Sequence, residues 1–193
     1  DIVALSIGTR PDCLPDEVLN LLGELNKFKP VWVELGLQTI HENTAKYINR
    51  GYTLDVFNTA VNNLNKINVD VIVHLIIGLP FESKEDILES VKYVSSMNIS
   101  GIKLQLLHVL KNTPLEKEYF LNKFEVLSME EYVDIIAECL RYIPKSIVIH
   151  RLTGDGPKSI LVAPLWSGNK KAVLNYMNKR FNELNVIQGS LCS

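Results

Sequence analysis

The sequence predicts an α/β protein: an incomplete TIM-like barrel of parallel strands with outer helices, truncated on its N-terminal side. Three observations lead there. Short runs rich in Val, Ile and Leu alternate with stretches whose apolar residues recur at helical spacing. Successive runs start about 29 to 45 residues apart, the length of a strand, a crossover helix and a return. The chain also opens without methionine inside an apolar run, so the natural barrel is expected to begin earlier.

The elements follow in order. Ile2–Ile7 reads as a first, buried strand. Val18, Leu21, Leu22, Leu25 and Phe28 then share a helix face, and Pro30 stops it before a second strand at Val31–Leu37. After Gly51 a second helix carries Leu54, Phe57, Val61, Leu64 and Ile67. Val69–Ile77 is the third strand, closed by Gly78 and Pro80. Ser83 and Asp86 form a capping box for a helix with Ile87, Val91 and Val94. Ile102–Leu110 is the fourth strand, and Ser128 with Glu131 caps a helix of Val133, Ile136 and Leu140. Ile147–His150 is the fifth strand and Ile160–Ala163 a candidate sixth. A last helix places Val173, Tyr176, Met177, Phe181 and Leu184 on one face. Right-handed crossovers leave a parallel barrel or a doubly wound open sheet, and five or six strands are too few to close eight. No linker divides the chain: residues 1–165 form the partial barrel, and 166–193 a helix and tail packed on it.

Composition narrows the function. Apolar residues make up 47% and charged residues 22%, a globular balance, and the net charge of −2 gives no global case for nucleic acid. Cys13, Cys139 and Cys192 are too scattered for a disulfide framework or a zinc site and suit free thiols in a reducing cytoplasm. There is no run of eighteen apolar residues to span a membrane, no phosphate loop and no metal-ligand spacing.

Polar residues inside the apolar runs are the anomaly. Glu34, Gly36 and Gln38 alternate on one strand face, Lys103 and Gln105 do so on another, and His74 sits within the third run. An ionised group in a sheet must be paired or bind a ligand, since leaving it unpaired costs several kcal/mol. Ligands of parallel sheets collect at the carboxyl ends of the strands. Thr9, Arg10, Gln38, Thr39, His108, His150, Arg151 and Asp155 are expected there. Gly78 serves either as a strand-ending turn or as a place where backbone approaches a ligand. The alternative for Glu34 and Lys103 is an ion pair held for structural reasons.

The stretch ELGLQTIHENTAKYINRG at 34–51 and HLIIGLP at 74–80 resemble the radical S-adenosylmethionine (SAM) superfamily. With GTRPDCL at 8–14, HRLTGDGP at 150–157 and APLW at 163–166, the chain looks more narrowly like the YhcC/YtqA-type Fe–S oxidoreductases. These are relatives of the Elongator catalytic subunit and of tRNA methylthiotransferases. The resemblance implies SAM and a [4Fe–4S] cluster as cofactors. SAM is then cleaved reductively to a 5′-deoxyadenosyl radical, with an electron donor for the cluster. The cluster motif C-x3-C-x2-C is absent, so the chain is expected to be the C-terminal part of such an enzyme, inactive alone.

On the same resemblance Gln38 would contact the SAM ribose and Arg50 the methionine carboxylate. An amide suits a hydroxyl, and a guanidinium forks onto a carboxylate. His74 replaces an acidic ribose contact, Glu34 takes over an amine or hydroxyl contact, and Gly78 completes the SAM side. Arg10, Lys103, Gln105, His108 and Arg151 are the substrate-side candidates. The family points to tRNA, at a modified wobble uridine. A basic stretch at 157–185 (Lys158, Lys170, Lys171, Lys179 and Arg180) beside an acidic one at 82–138 would track phosphates. Competing readings are a lysine-dependent small-metabolite barrel enzyme using Lys103, and a non-catalytic α/β module binding RNA or protein.

Overall fold

A computed structural model describes residues 2–154 and 156–192, so the expected site residue Asp155 lies outside the described residues. Five strands form one parallel sheet: β1 (Leu5–Thr9), β2 (Val31–Gln38), β3 (Asp70–Ile77), β4 (Gly101–Leu106) and β6 (Val148–Arg151). Before β6 lies a short β5 (Val109–Leu110), which pairs antiparallel with β7 (Leu161–Ala163) in a separate ribbon. The main strands lie side by side in chain order, without the reversal of a doubly wound sheet. Helices α1 (Asp16–Asn26), α3 (Leu54–Lys66), α4 (Lys84–Ser95) and α6 (Met129–Tyr142) form the crossovers.

One sheet face is dry. Val33, Leu35 and Leu37 of β2, Val71, Val73, Leu75 and Ile77 of β3, and Ile102 and Leu104 of β4 are at most 1% exposed. They pack in a single cluster against Phe57, Val61, Leu64, Val91, Val94, Val133 and Ile136 of the helices. The opposite face carries Glu34, Gln38, His74, Lys103 and Gln105, all partly accessible. The sheet is therefore covered by helices on one side, where Val/Ile/Leu-rich runs had suggested cover on both. A sheet with strands in order, helices outside and a polar inner face is an arc of a parallel barrel.

Local signals behave as expected at the helix starts. Both capping boxes form: the Ser83 hydroxyl accepts from the Asp86 N–H and the Ser128 hydroxyl from that of Glu131, with the acidic side chains reaching back. Thr53 caps α3 in the same way. The last helix, α7 (Lys170–Glu183), packs on α6 and buries Val173 and Met177 in the main cluster.

Four expectations change. The first strand begins at Leu5 and is an exposed edge, with Ile2 72%, Val3 81% and Leu5 40% accessible. On α1 the buried residues are Leu19 and Leu22, whereas Leu21 and the following Phe28 face solvent. The run Ile102–Leu110 breaks after Leu106, because β5 leaves the sheet to pair with β7. For that reason Ile160–Ala163 supplies no sixth parallel strand.

Cys139 of α6 is fully buried, and burial pushes its thiol up to about 12, whereas Cys13 and Cys192 are exposed. Iodoacetamide is expected to label two thiols of the native chain within minutes and the third only in denaturant, read by mass spectrometry. Three labels under native conditions would contradict this placement of α6.

Candidate functional site

The strands aim their carboxyl ends at a cleft of about 670 Å³, within the size range of small-molecule sites. Arg10, Gln38, Tyr47, Arg50 and Tyr52 line it together with Leu79, Leu107, Leu115 and Glu118, and the Tyr47 hydroxyl donates to Glu118 at 3.3 Å. Glu118 and Leu115 come from a short helix, α5 (Pro114–Phe120), and Tyr47 ends another, α2 (Glu42–Tyr47).

Gln38 is the last residue of β2 and adopts φ 70°, where the register with β3 slips between Gly36 and Gln38. Gly36 makes this geometry fit: a Cβ there would lie 2.5 Å from the Gln38 Nε2. The Tyr52 hydroxyl donates to the Gly36 carbonyl, tying the loop after α2 to the strand.

Arg50 is no solvated residue. Its side chain is 1% exposed, and its Nε donates to the Tyr52 carbonyl at 2.8 Å. Nη1 reaches the carbonyls of Thr39 at 2.7 Å and Leu37 at 3.4 Å, and Nη2 reaches Glu42 Oε1 at 2.8 Å. The same Glu42 oxygen accepts from the Leu54 N–H at the start of α3. Arg50 thus closes the 39–54 segment onto the end of β2. Arg10, by contrast, is half-exposed, with its guanidinium 5.4 Å from the Tyr52 ring centroid.

Below the cleft, on the inner face, Glu34 gathers donors. Lys103 Nζ stands 2.5 Å and His74 Nε2 2.9 Å from Oε2, and the Ser6 hydroxyl 2.9 Å from Oε1. Gln105 Nε2 lies 2.9 Å from the other His74 nitrogen. If Gln105 donates to Nδ1, His74 must carry its proton on Nε2 and donate to Glu34. A neutral ring agrees with burial and the Lys103 charge, which push the imidazole below its ordinary value. Burial pushes the Glu34 carboxyl up, but hydrogen bonds from Lys103 and Ser6 and the Lys103 charge outweigh it and hold the group at about 2. The structural ion pair is therefore formed. Lys103 Nζ is thus engaged by Glu34, with its side chain 13% exposed.

The remaining candidates separate. Gly78 makes a turn at φ 84°, and a Cβ there would come within 2.9 Å of Leu127, so backbone and packing both call for glycine. His108 packs against Gly154 and Gly156: a Cβ would be 2.4 Å from its ring on the first and 3.1 Å on the second, which explains the glycines of HRLTGDGP. Arg151 pairs in register with Lys103, midway along the barrel wall. His150 meets Trp32 edge to face at 5.9 Å and abuts Gly101, near the amino end. Neither lies at the carboxyl mouth, because β6 registers with only the first half of β4.

Sequence reasoning missed Glu42 and Tyr47 of α2 and Glu118 of α5, helices too short for periodicity to reveal, and Tyr52 in the loop after α2. It also missed Glu82, a half-buried carboxyl that burial pushes up. Only the position of Tyr52, beside the punctuating Gly51, offered a signal.

Fold and cleft together define a class: parallel part-barrels with a cleft at the carboxyl ends of their strands. The chain belongs to the radical SAM superfamily. A model described as Radical SAM superfamily matches residues 1–94, and one described as Radical_SAM C-terminal domain matches 99–183. The chain is 45% identical over 189 residues to Uncharacterized protein YtqA of Bacillus subtilis (strain 168), covering 98% of this chain and 59% of that protein. It is 35% identical over 191 residues to Protein YhcC of Escherichia coli (strain K12), covering 98% and 62%. A tRNA uridine(34) acetyltransferase of Methanocaldococcus jannaschii is 27% identical over 185 residues, covering 92% and 33%. Among solved structures, Methanocaldococcus infernus Elp3 superposes with a TM-score of 0.79 at 25% identity, covering 96% of this chain and 43% of that one. The chain thus spans about three-fifths of the length of YtqA and YhcC.

The superfamily implies SAM and a [4Fe–4S] cluster. The cleft fits SAM in size and in its mixture of amide, guanidinium and apolar wall. The described residues do not fit the cluster. Cys139 is sealed in the outer core, Cys13 neighbours Asp12, and Cys192 lies by the Arg141 carbonyl. Three such thiols cannot converge on one iron–sulfur centre. Among the described residues no helix is long and apolar enough to cross a membrane.

Proposed function

We propose that this chain is the SAM-holding part of a radical SAM enzyme, and that the whole protein modifies tRNA at a wobble uridine. The observation that carries the SAM reading is the seating of Gln38. A strand-end bulge and a glycine without a Cβ present its amide to a cleft at the carboxyl end of the sheet. An amide there suits the two hydroxyls of a ribose, donating to one and accepting from the other. The wall of Leu79, Leu107 and Leu115 gives an adenine an apolar surface. Arg50 holds the loop that shapes the cleft.

SAM supplies the radical chemistry in this superfamily, and these residues bind it, orient it and exclude water. Cluster ligands and an electron donor come from outside the described residues. Similarity to a protein named for tRNA uridine(34) supports the tRNA reading, and three unpaired thiols suit a reducing cytoplasm.

Calorimetric titration of the purified protein with S-adenosylhomocysteine tests the site. Saturable one-to-one binding is expected, and Gln38→Ala is expected to weaken it by about tenfold, the value of one to two hydrogen bonds. No binding, or binding indifferent to Gln38→Ala, would falsify this assignment.

A further inference from the structure

We propose that Phe81 is a stacking platform for an unpaired RNA base at the rim of the cleft; this rests on reading the partner as tRNA. The backbone that Phe81 adopts is the anomaly. Among the described residues seven other than glycine have positive φ: five are Asn, whose short amide tolerates the left-handed region, and one is Gln38. The seventh is Phe81, at φ 67°. A bulky ring gains nothing locally from a backbone that glycine adopts without steric cost. Burial does not account for it either, because Phe81 is 67% exposed. An apolar ring held in a strained turn and facing water is the kind of outlier that a binding role explains.

Its place in the fold suits that role. Phe81 lies just past the end of β3, so it stands at the carboxyl mouth of the sheet. Its ring meets Tyr47 edge to face, with centroids 5.1 Å apart, and Tyr47 lines the cleft. Tyr47 is itself tethered through its hydroxyl to Glu118. The two aromatics thus carry the wall of the cleft outward to solvent, with Phe81 left largely open.

Charge at the mouth favours a nucleic acid as the occupant. The acids there are matched: Asp12 by Arg10, Glu42 by Arg50 and Glu118 by Lys123. Lys46 and Lys117, exposed and next in the chain to Tyr47 and Glu118, form no ion pair among the described residues. Of the acids that follow Phe81, Glu82 is half-buried and Asp86 is turned into its capping box, which leaves Glu85 exposed. An aromatic ring at a mouth that carries two unmatched ammonium groups suits a base joined to phosphates. Stacking asks only for the flat face that every base has.

Fluorescence anisotropy with a labelled anticodon stem-loop RNA, uridine at its wobble position, is the test. Phe81→Gly is expected to weaken binding by about tenfold, the loss of one stacked base. Phe81→Leu, apolar but without a π face, is expected to lose nearly as much, and Phe81→Trp to stay within about twofold. The Tm of Phe81→Gly is expected not to fall, since the turn suits glycine, and a fall of more than about 4 °C would make Phe81 a packing residue instead. Its affinity for S-adenosylhomocysteine is expected to stay within about twofold, and an equal loss for this ligand and for RNA would overturn the separate RNA role. RNA binding indifferent to Phe81→Gly overturns the platform and leaves the tRNA reading standing. Full affinity with Phe81→Leu makes the patch an apolar protein contact and overturns the platform as well. Failure of the unaltered protein to bind the stem-loop overturns both the platform and the tRNA reading.

Discussion

Arg50→Ala is expected to destabilise the protein by about 3–5 kcal/mol, the range for breaking a buried charged network by removing one partner. The physical reason lies in what the guanidinium leaves behind. The Thr39, Leu37 and Tyr52 carbonyls lose their donor inside the protein, and each unsatisfied buried acceptor costs about 1–3 kcal/mol. Glu42 is 41% exposed and regains water, so the ion pair itself contributes the smaller share. Arg50→Lys is expected to lose much of the same stability, because one ammonium cannot reach acceptors spread around a planar fork. Urea unfolding at pH 7 measures both. A loss for Arg50→Ala below about 1 kcal/mol would place the residue where a solvated arginine sits and undo the clamp.

The cleft was only partly legible in the sequence. Gln38 stood out by its alternation with Glu34 and Gly36 and Arg50 by the family resemblance, and both line the cleft. The clamp made by Arg50 was hidden, because two of its acceptors are backbone carbonyls 11 and 13 residues away, which carry no side-chain signature. The capping boxes at Ser83 and Ser128 were readable for the opposite reason: all their bonds lie within four residues. The strands were readable from composition, yet their depth was not. β1 reads as apolar as β2, but its place at the edge of the sheet exposes it. His150 and Arg151 were placed at the mouth because they end a strand. Only the register of β6 against β4 shows that this strand stops halfway. Helices α2 and α5, of 6 and 7 residues, are each less than two turns, too short to hold without tertiary bonds or to show a period. They supply Tyr47 and Glu118 to the cleft, so the part of the site they build was out of reach.

The Glu34 cluster was legible as a pair and predicts the second large effect. Removing the carboxylate leaves Lys103, whose side chain is 13% exposed, as a charge without its counter-ion. Glu34→Gln is expected to cost about 3–5 kcal/mol at pH 7. The double variant Glu34→Leu with Lys103→Met is expected to recover most of that, since a hydrophobic pair of similar volume replaces a buried ion pair at little net cost. The pH profile gives an independent reading. The Glu34 carboxyl is held at about 2 in the folded chain against 4.5 ordinarily, so the folded state binds fewer protons. Its contribution is fully present above 4.5 and is lost as pH falls toward 2. A depression of this size amounts to about 3 kcal/mol. His74 has the same sign: its depressed imidazole begins to withdraw stability as pH falls below its ordinary 6.5. The unaltered protein should therefore weaken from about pH 6.5 downward, and Glu34→Gln should flatten the acidic limb of that curve below pH 4.5. Parallel curves for the two proteins from pH 7 to pH 3 would mean that the carboxylate does not hold the network together.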